Sequence, residues 1–310
     1  ETIINIVANG ATLSNVTTEG IVSLTDSLYV EGNLTLKSEI GGQSEPTLLV
    51  TNNVSTFGDV SVDVIMYGTE LNLNEDRRTF TGLLNITNTE PTLQNNTDLN
   101  ITNELYMIGD FVIDSTRIVN LDNYKLTLDG SITVNNKASL INGDQLDVVG
   151  NNNSVTVLET DTEDAVYSSA FNYLNLMGNL TVLGNNNEFA IRDSIYQNGP
   201  YKLDNSLANL VVQDGAKIIR ESAAEFLPNV PNYTGMVDLV YQGNSTINTT
   251  GEVPDDVSTL NNMLLLTDVN LVKSASINGY ATIDDHKLEI DQNSVLTINE
   301  AAMRINKPYD

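Results

Sequence analysis

The chain has 310 residues, with 41 acidic against 14 basic side chains and a formal charge of -27. Such a balance argues against nucleic acid and anionic membrane as partners, since both need clustered Lys and Arg to replace counterions, and no membrane insertion is expected. Charged residues are only 18% of the total, so most of the polarity comes from Asn, Thr, Ser and Gly, a composition usual in extracellular β-rich proteins.

No apolar run approaches the roughly 20 residues that a membrane helix needs. At 310 residues the chain exceeds the size at which one globular core keeps growing, so it should divide or extend as a repeat array. Cysteine is absent and a continuous core would not require disulfides. The start at Glu1 carries no basic, apolar leader, and the chain reads as mature or as a fragment.

In chain order, Thr2 to Val7 comes first and is strongly β-forming. Its apolar residues Ile3, Ile4, Ile6 and Val7 could add as an edge strand to another subunit, or simply form a first coil. A pentad, Gly-x-apolar-Thr-apolar, then recurs at Gly32–Leu36, Gly130–Val134, Gly178–Val182 and Gly279–Ile283. A looser copy stands at Gly82–Ile86, with half-step echoes at Gly58–Val62 and Gly109–Ile113. The spacing predicts a unit of roughly 24 residues, within the range of solenoid repeats.

In each pentad the two apolar side chains point one way and the residue between them points the other. One turn cannot bury so few inward side chains alone, whereas stacked turns bury each other's apolar face and satisfy each other's backbone. Glycine supplies positive φ at corners, and the runs Asn151–Asn153 and Asn185–Asn187 suit turns and amide ladders. The expected fold is all-β: one right-handed parallel β-helix, or β-solenoid, of about a dozen coils over residues 1–310. Short helical excursions are expected at Asp161–Tyr173 and Ile219–Phe226, with an irregular insertion near 217–235 around Pro228 and Pro231.

Sequons stand at Asn15, Asn33, Asn53, Asn85, Asn95, Asn100, Asn152, Asn179, Asn232, Asn244 and Asn248. An Asn- and Thr-rich sequence generates this triplet by chance, and outward residues on strands and turns explain it equally. The carboxylates Asp161, Glu163, Asp164, Asp255 and Asp256 offer oxygen ligands for Ca²⁺, without the register of an EF-hand loop. No other cofactor is expected. His286 is the only histidine, and with no cysteine a zinc site is all but ruled out; a solvated turn accounts for it.

The stretch from Met236 to Ile290 carries a resemblance. Its phrases Leu239-Val240-Tyr241-Gln242-Gly243, Thr259-Leu260-Asn261-Asn262-Met263-Leu264-Leu265, Leu271 to Gly279 and Lys287-Leu288-Glu289-Ile290 follow one another in order. This resembles the Asn/Thr/Gly-rich repeat regions of large secreted surface proteins of Bacteroidetes-type bacteria. Residues 28–67 and 121–134 match other parts of the same style. The resemblance implies an exported protein attached outside the cell, often through a C-terminal sorting domain, and no such domain is visible before Asp310.

The expected function is an extracellular structural or adhesive role without catalysis, as a self-associating surface or filament subunit that could contact a surface glycan. The enzymatic alternative is a polysaccharide-binding or polysaccharide-cleaving β-helix, a lyase or hydrolase with paired carboxylates or Arg/Lys on adjacent coils. Its basic candidates are sparse: Arg77, Arg78, Arg117, Arg192, Arg220 and Arg304. Tyr173, Tyr196, Tyr201, Tyr233 and Tyr241 could stack on sugars but are spread out. Ice binding would need an outward Thr at a constant place on nearly every coil, and the Thr positions are irregular.

Overall fold

The computed structural model describes residues 3–6, 12–42, 46–68, 70–73, 78–87, 99–114, 117–135, 138–158, 169–299 and 302–306. Among the described residues there is no helix, and the strands stack as a β-solenoid of about 12 turns. Strand pairing among the described residues is parallel, because each coil advances in the same direction as the one before. Two compact units can be distinguished, Glu1–Leu146 with Ser154–Ala170, and Asp147–Asn153 with Phe171–Asp310.

Alternation sets the interior of the first unit. One inward column runs Leu28, Leu48, Val64, Leu84, Phe111, Ile132, each the register partner of the next. A second column two residues on runs Val30, Val50, Met66, Ile86, Ile113, Val134. All twelve side chains are buried. Burying one such side chain contributes about 1.5–3 kcal/mol, so the columns rather than any single coil hold the unit together. The intervening residues Asn85, Val112 and Thr133 are only partly covered, as period-2 geometry requires.

The coils do not keep one fixed length: register partners on successive coils are 16 residues apart at Leu48 and Val64, 24 at Leu239 and Met263, and 27 at Leu84 and Phe111. Gly82, Gly109 and Gly130 are direct register partners on successive coils, so Gly109 is a full member of the series and not a half step. The Gly32 pentad lies on another face: Leu34 continues to Val54 and Leu71, while Leu84 follows Val64. Similar pentads on different faces produced the apparent spacing. The glycine stack has a steric cause, because a Cβ on Gly109 would lie 2.4 Å from the Gly82 carbonyl oxygen. Its φ of 121° also suits glycine alone.

Corners are closed by a recurring bond that explains the abundance of Asn and Asp. A side-chain oxygen on one coil accepts the backbone N–H of the coil above. In the first unit Asn15 accepts from Asn33 at 3.0 Å, Asn33 from Asn53 at 3.2 Å, and Asn53 from Glu70 at 3.2 Å. Asp59 and Asp63 accept from Thr79 and Leu83 in the same way. The second unit repeats it at Asn179, Asn205, Asp214, Asp238, Asn262 and Asp268. An amide or carboxylate oxygen is a strong acceptor on a short stem, so it satisfies a corner N–H that lacks a ladder partner.

Three further expectations are corrected. Ile219–Phe226 is not helical: Ile219 and Arg220 end the strand Lys217–Arg220, and 221–226 is irregular. The Arg220 guanidinium donates to the carbonyls of Ser222 at 3.2 Å and Ala224 at 2.7 Å, and this overrides the local Ala/Glu propensity. In the other predicted helix, 161–168 falls outside the described residues, and Ser169 opens the strand Ser169–Gln197. An amide ladder forms at Asn100, Asn120 and Asn142, with bonds of 3.1 and 3.0 Å; of the runs expected to form one, the Asn185–Asn187 side chains lie outside the described residues, and Asn151–Asn153 is part of the strand Ser139–Val157 rather than a turn. There Asn153 turns inward and donates to the carbonyls of Val149 and Asn179.

Candidate functional site

In the second unit one interior column changes character. The series Gln197, Arg220, Tyr241, Leu265, Ile283 occupies equivalent inward positions on successive coils. Its first three members are polar or charged, yet at most 1% exposed. Parity explains why: in Lys217–Arg220, Ile218 points in and Ile219 out, so Arg220 must point in.

Glu252, 0% exposed, meets this column. Arg220 Nη1 lies 2.9 Å from Glu252 Oε1, which also accepts from the Tyr241 hydroxyl at 3.2 Å. Glu252 Oε2 accepts from the Thr250 N–H at 2.9 Å and from the Thr250 hydroxyl. The Glu252 carbonyl accepts from the Tyr233 hydroxyl at 2.6 Å. Arg220 further donates to Gln197 Oε1 and the Asn248 carbonyl, and its guanidinium stands 5.4 Å from the Phe226 ring centre. A buried ion pair is tolerated when its remaining donors and acceptors are filled, and here they are. Burial, together with the Glu252 carboxylate, pushes the Tyr241 and Tyr233 hydroxyls well above their ordinary value. With both charges enclosed, this network ties the irregular stretches 221–231 and 249–259 to the strands Lys217–Arg220 and Val237–Tyr241 and leaves neither charge open to a substrate.

The outer face carries a smaller cluster. Tyr196 donates its hydroxyl to Glu221 Oε2 at 2.7 Å, and Gln242 Nε2 approaches the same hydroxyl at 3.5 Å. Partial burial, then the bond to Glu221, raises the Tyr196 hydroxyl above its ordinary range. These three residues come from successive coils, as an enzyme site on this fold would need.

The remaining candidates are dispersed. Arg117 is buried in the first unit, where it donates to the carbonyls of Tyr67, at 3.2 Å, and Gly68. Arg304 lies 5.0 Å over the Tyr280 ring. Tyr173 is exposed and belongs to no cluster with the other candidate tyrosines. His286 sits in a turn after Asp285, whose φ is 56°, with Nδ1 3.5 Å from Asp268 Oδ1. Arg77, Asp161, Glu163, Asp164 and Val7 lie outside the described residues.

Asp255 and Asp256 line a cavity of about 120 Å³ together with Ser274, Ser276 and Thr297. Asp255 pairs with Lys273 at 2.6 Å. Asp256 accepts from the Ser258 N–H and hydroxyl, both at 2.7 Å, and the backbone bond foremost holds its carboxyl below the usual range. The cavity is well short of the roughly 300 Å³ at which small-molecule sites begin. Among the described residues no group of three or more His, Asp or Glu side chains converges to hold a metal ion, and no helix is long and apolar enough to cross a membrane.

Arg220, a candidate basic group in the sequence, is thus a structural residue, and Glu252, which no motif marks, is its partner. The inward parity of Arg220 and Tyr241 was the available signal; Glu252 lies in an irregular segment where parity gives none. Comparison of the chain with models of protein families, with curated proteins and with solved structures finds no match.

Proposed function

We propose that this chain is a non-catalytic structural or adhesive β-solenoid that works outside the cell, as a surface component or filament subunit. The observation that carries this reading is the corner bond. Asn15, Asn33, Asn53, Asp59, Asp63 and their counterparts in the second unit spend their side-chain oxygens on the backbone of the next coil. The residue types that would do chemistry on this fold are therefore occupied in building it. The acidic, cysteine-free composition and the resemblance of residues 236–290 to secreted surface repeats support an extracellular location.

The test pairs two measurements. Protease shaving of intact producer cells should release peptides of this chain. The purified protein should release no reducing or unsaturated ends from neutral and acidic polysaccharides. Protection on intact cells would overturn the location, and sugar release would overturn the non-catalytic role.

The enzymatic alternative rests on one observation, the Tyr196–Glu221–Gln242 cluster across three coils. If polysaccharide turnover were found and Glu221→Gln abolished it without loss of fold, that alternative would replace the structural reading.

A further inference from the structure

Asn9, Asn142, Asn198 and Asn278 each precede a glycine, and Asn9 lies outside the described residues. An Asn-Gly pair is a place where a chain can modify itself. The glycine nitrogen can attack the asparagine side-chain carbonyl carbon, because glycine has no Cβ to shield the approach. The attack needs that N–H and the side-chain amide free of other bonds. In this respect the three described pairs differ.

Asn278 is locked. Its Nδ2 donates to the carbonyls of Val257 at 2.8 Å and Leu260 at 3.0 Å, and its Oδ1 accepts from Asn299 at 2.8 Å. The Gly279 N–H donates to the Asn261 carbonyl at 2.7 Å. Asn142 is held in the amide ladder, where its Nδ2 donates to Asn120 Oδ1 at 3.0 Å. Its Gly143 is buried within the strand Ser139–Val157.

Asn198 is not held in this way. It follows the strand Ser169–Gln197, is half-buried, and donates its backbone N–H to the Leu176 carbonyl at 3.0 Å. Among the described residues nothing bonds its side-chain amide or the Gly199 N–H. The corner around it is well connected. Gln197 Nε2 spans the turn to the Tyr201 carbonyl at 2.8 Å, and Gln197 Oε1 accepts from Arg220 at 3.3 Å. Gln197 and Arg220 are register partners, so the residues after them, Asn198 and Glu221, lie on adjacent coils about 4.8 Å apart.

We infer that Asn198 is a self-modification site, where Gly199 closes a succinimide ring that reopens as aspartate or isoaspartate. The Gly199 nitrogen loses its proton to hydroxide or water and bonds to Asn198 Cγ; the Cγ–Nδ2 bond breaks and ammonia leaves. Water then opens the ring at either carbonyl, so the whole change consumes water and releases ammonia. The product places a new carboxylate beside Glu221, which already accepts the Tyr196 hydroxyl at 2.7 Å, and like charges on adjacent coils repel. The isoaspartate form also lengthens the main chain inside the turn that Gln197 spans, which pulls against the Gln197–Arg220 contact. The reaction does not depend on the structural role proposed above.

The test incubates the folded, full-length chain in mildly alkaline buffer made with heavy-oxygen water. Each Asn-Gly peptide is then quantified by mass spectrometry, with isoaspartate methyltransferase labelling as a second readout. A sample unfolded in guanidinium chloride is followed beside it. In the folded chain, conversion at Asn198 should be at least about tenfold faster than at Asn142 or Asn278, the factor for opening one or two hydrogen bonds. In the unfolded sample the rates should converge. Asn198→Gln, whose longer side chain closes the ring poorly, should lose the signal and keep its melting temperature through an incubation in which that of the parent falls. Equal rates at the three sites in the folded chain would overturn the inference, as would an intact Asn198 after the unfolded sample has converted. A parent melting temperature that stays level despite conversion would overturn the link to Gln197 and Glu221.

Discussion

Arg220 and Glu252 face each other at 2.9 Å within the second unit, with side chains 1% and 0% exposed. Thirty-two residues separate them, so the bond ties an irregular segment to the ladder and does not merely decorate one strand. Removing either partner leaves the other charge buried without its counterion. Arg220→Ala or Glu252→Ala should therefore each cost about 3–5 kcal/mol of folding free energy, measured by chemical denaturation. The double replacement Arg220→Met with Glu252→Met should cost less than the sum of the single changes, because no lone charge remains. Additive losses would show that the two residues act separately.

The corner bonds make a milder prediction. Asn33 Oδ1 accepts the Asn53 N–H at 3.2 Å, so Asn33→Ala should lose about 0.5–1.5 kcal/mol, the net worth of one hydrogen bond. Asn33→Asp keeps an acceptor at the same place and should stay within about 0.5 kcal/mol of the parent. Equal losses in both variants would mean that the asparagine acts through something other than its oxygen.

The fold was legible because its strongest determinant is local. Period-2 alternation and glycine punctuation specify strands and their inward face, and stacking follows once no single turn can bury its residues. The length of a coil was not legible from the pentads. Gly32 and Gly82 head the same phrase on different faces, and only pairing in space tells them apart. The buried network was half legible, since alternation turns Arg220 and Tyr241 inward, while Glu252 reaches them from an irregular segment. Of the calcium candidates, Asp255 and Asp256 read in sequence as oxygen ligands; in the structure one is paired with Lys273 and the other caps the turn at Ser258.

The glycine stack predicts a sharp contrast between two Gly→Ala changes. At Gly130 a Cβ would stand 2.1 Å from the Gly109 carbonyl oxygen, so Gly130→Ala must push two coils apart. The loss should be about 3 kcal/mol or more, from the clash added to an unfavourable φ. At Gly41 nothing lies within 4 Å of the position a Cβ would take, and Gly41→Ala should be neutral to within about 0.5 kcal/mol. Thermal melting of the two variants beside the parent decides the matter, and equal melting temperatures would refute the stacking argument.

Alkaline pH should weaken the second unit through its buried tyrosines. Tyr241 and Tyr233 keep their hydroxyl protons in the folded chain well beyond the ordinary value of 10.0, because burial and then the Glu252 carboxylate disfavour the phenolate. The unfolded chain releases those protons near that ordinary value. Above about pH 10 the unfolded state thus binds fewer protons than the folded one, and stability falls as pH rises. The contribution is fully present below about pH 10 and declines by up to about 1.4 kcal/mol per pH unit for each tyrosine above it. Tyr241→Phe removes one of the two groups, so its denaturation midpoint should fall less steeply between about pH 10 and pH 11 than that of the parent. It should also be less stable at neutral pH by about 1 kcal/mol, since Glu252 Oε1 loses the hydroxyl bond measured at 3.2 Å. Parallel pH slopes for the variant and the parent would show that the Tyr241 hydroxyl does not hold its proton through this network.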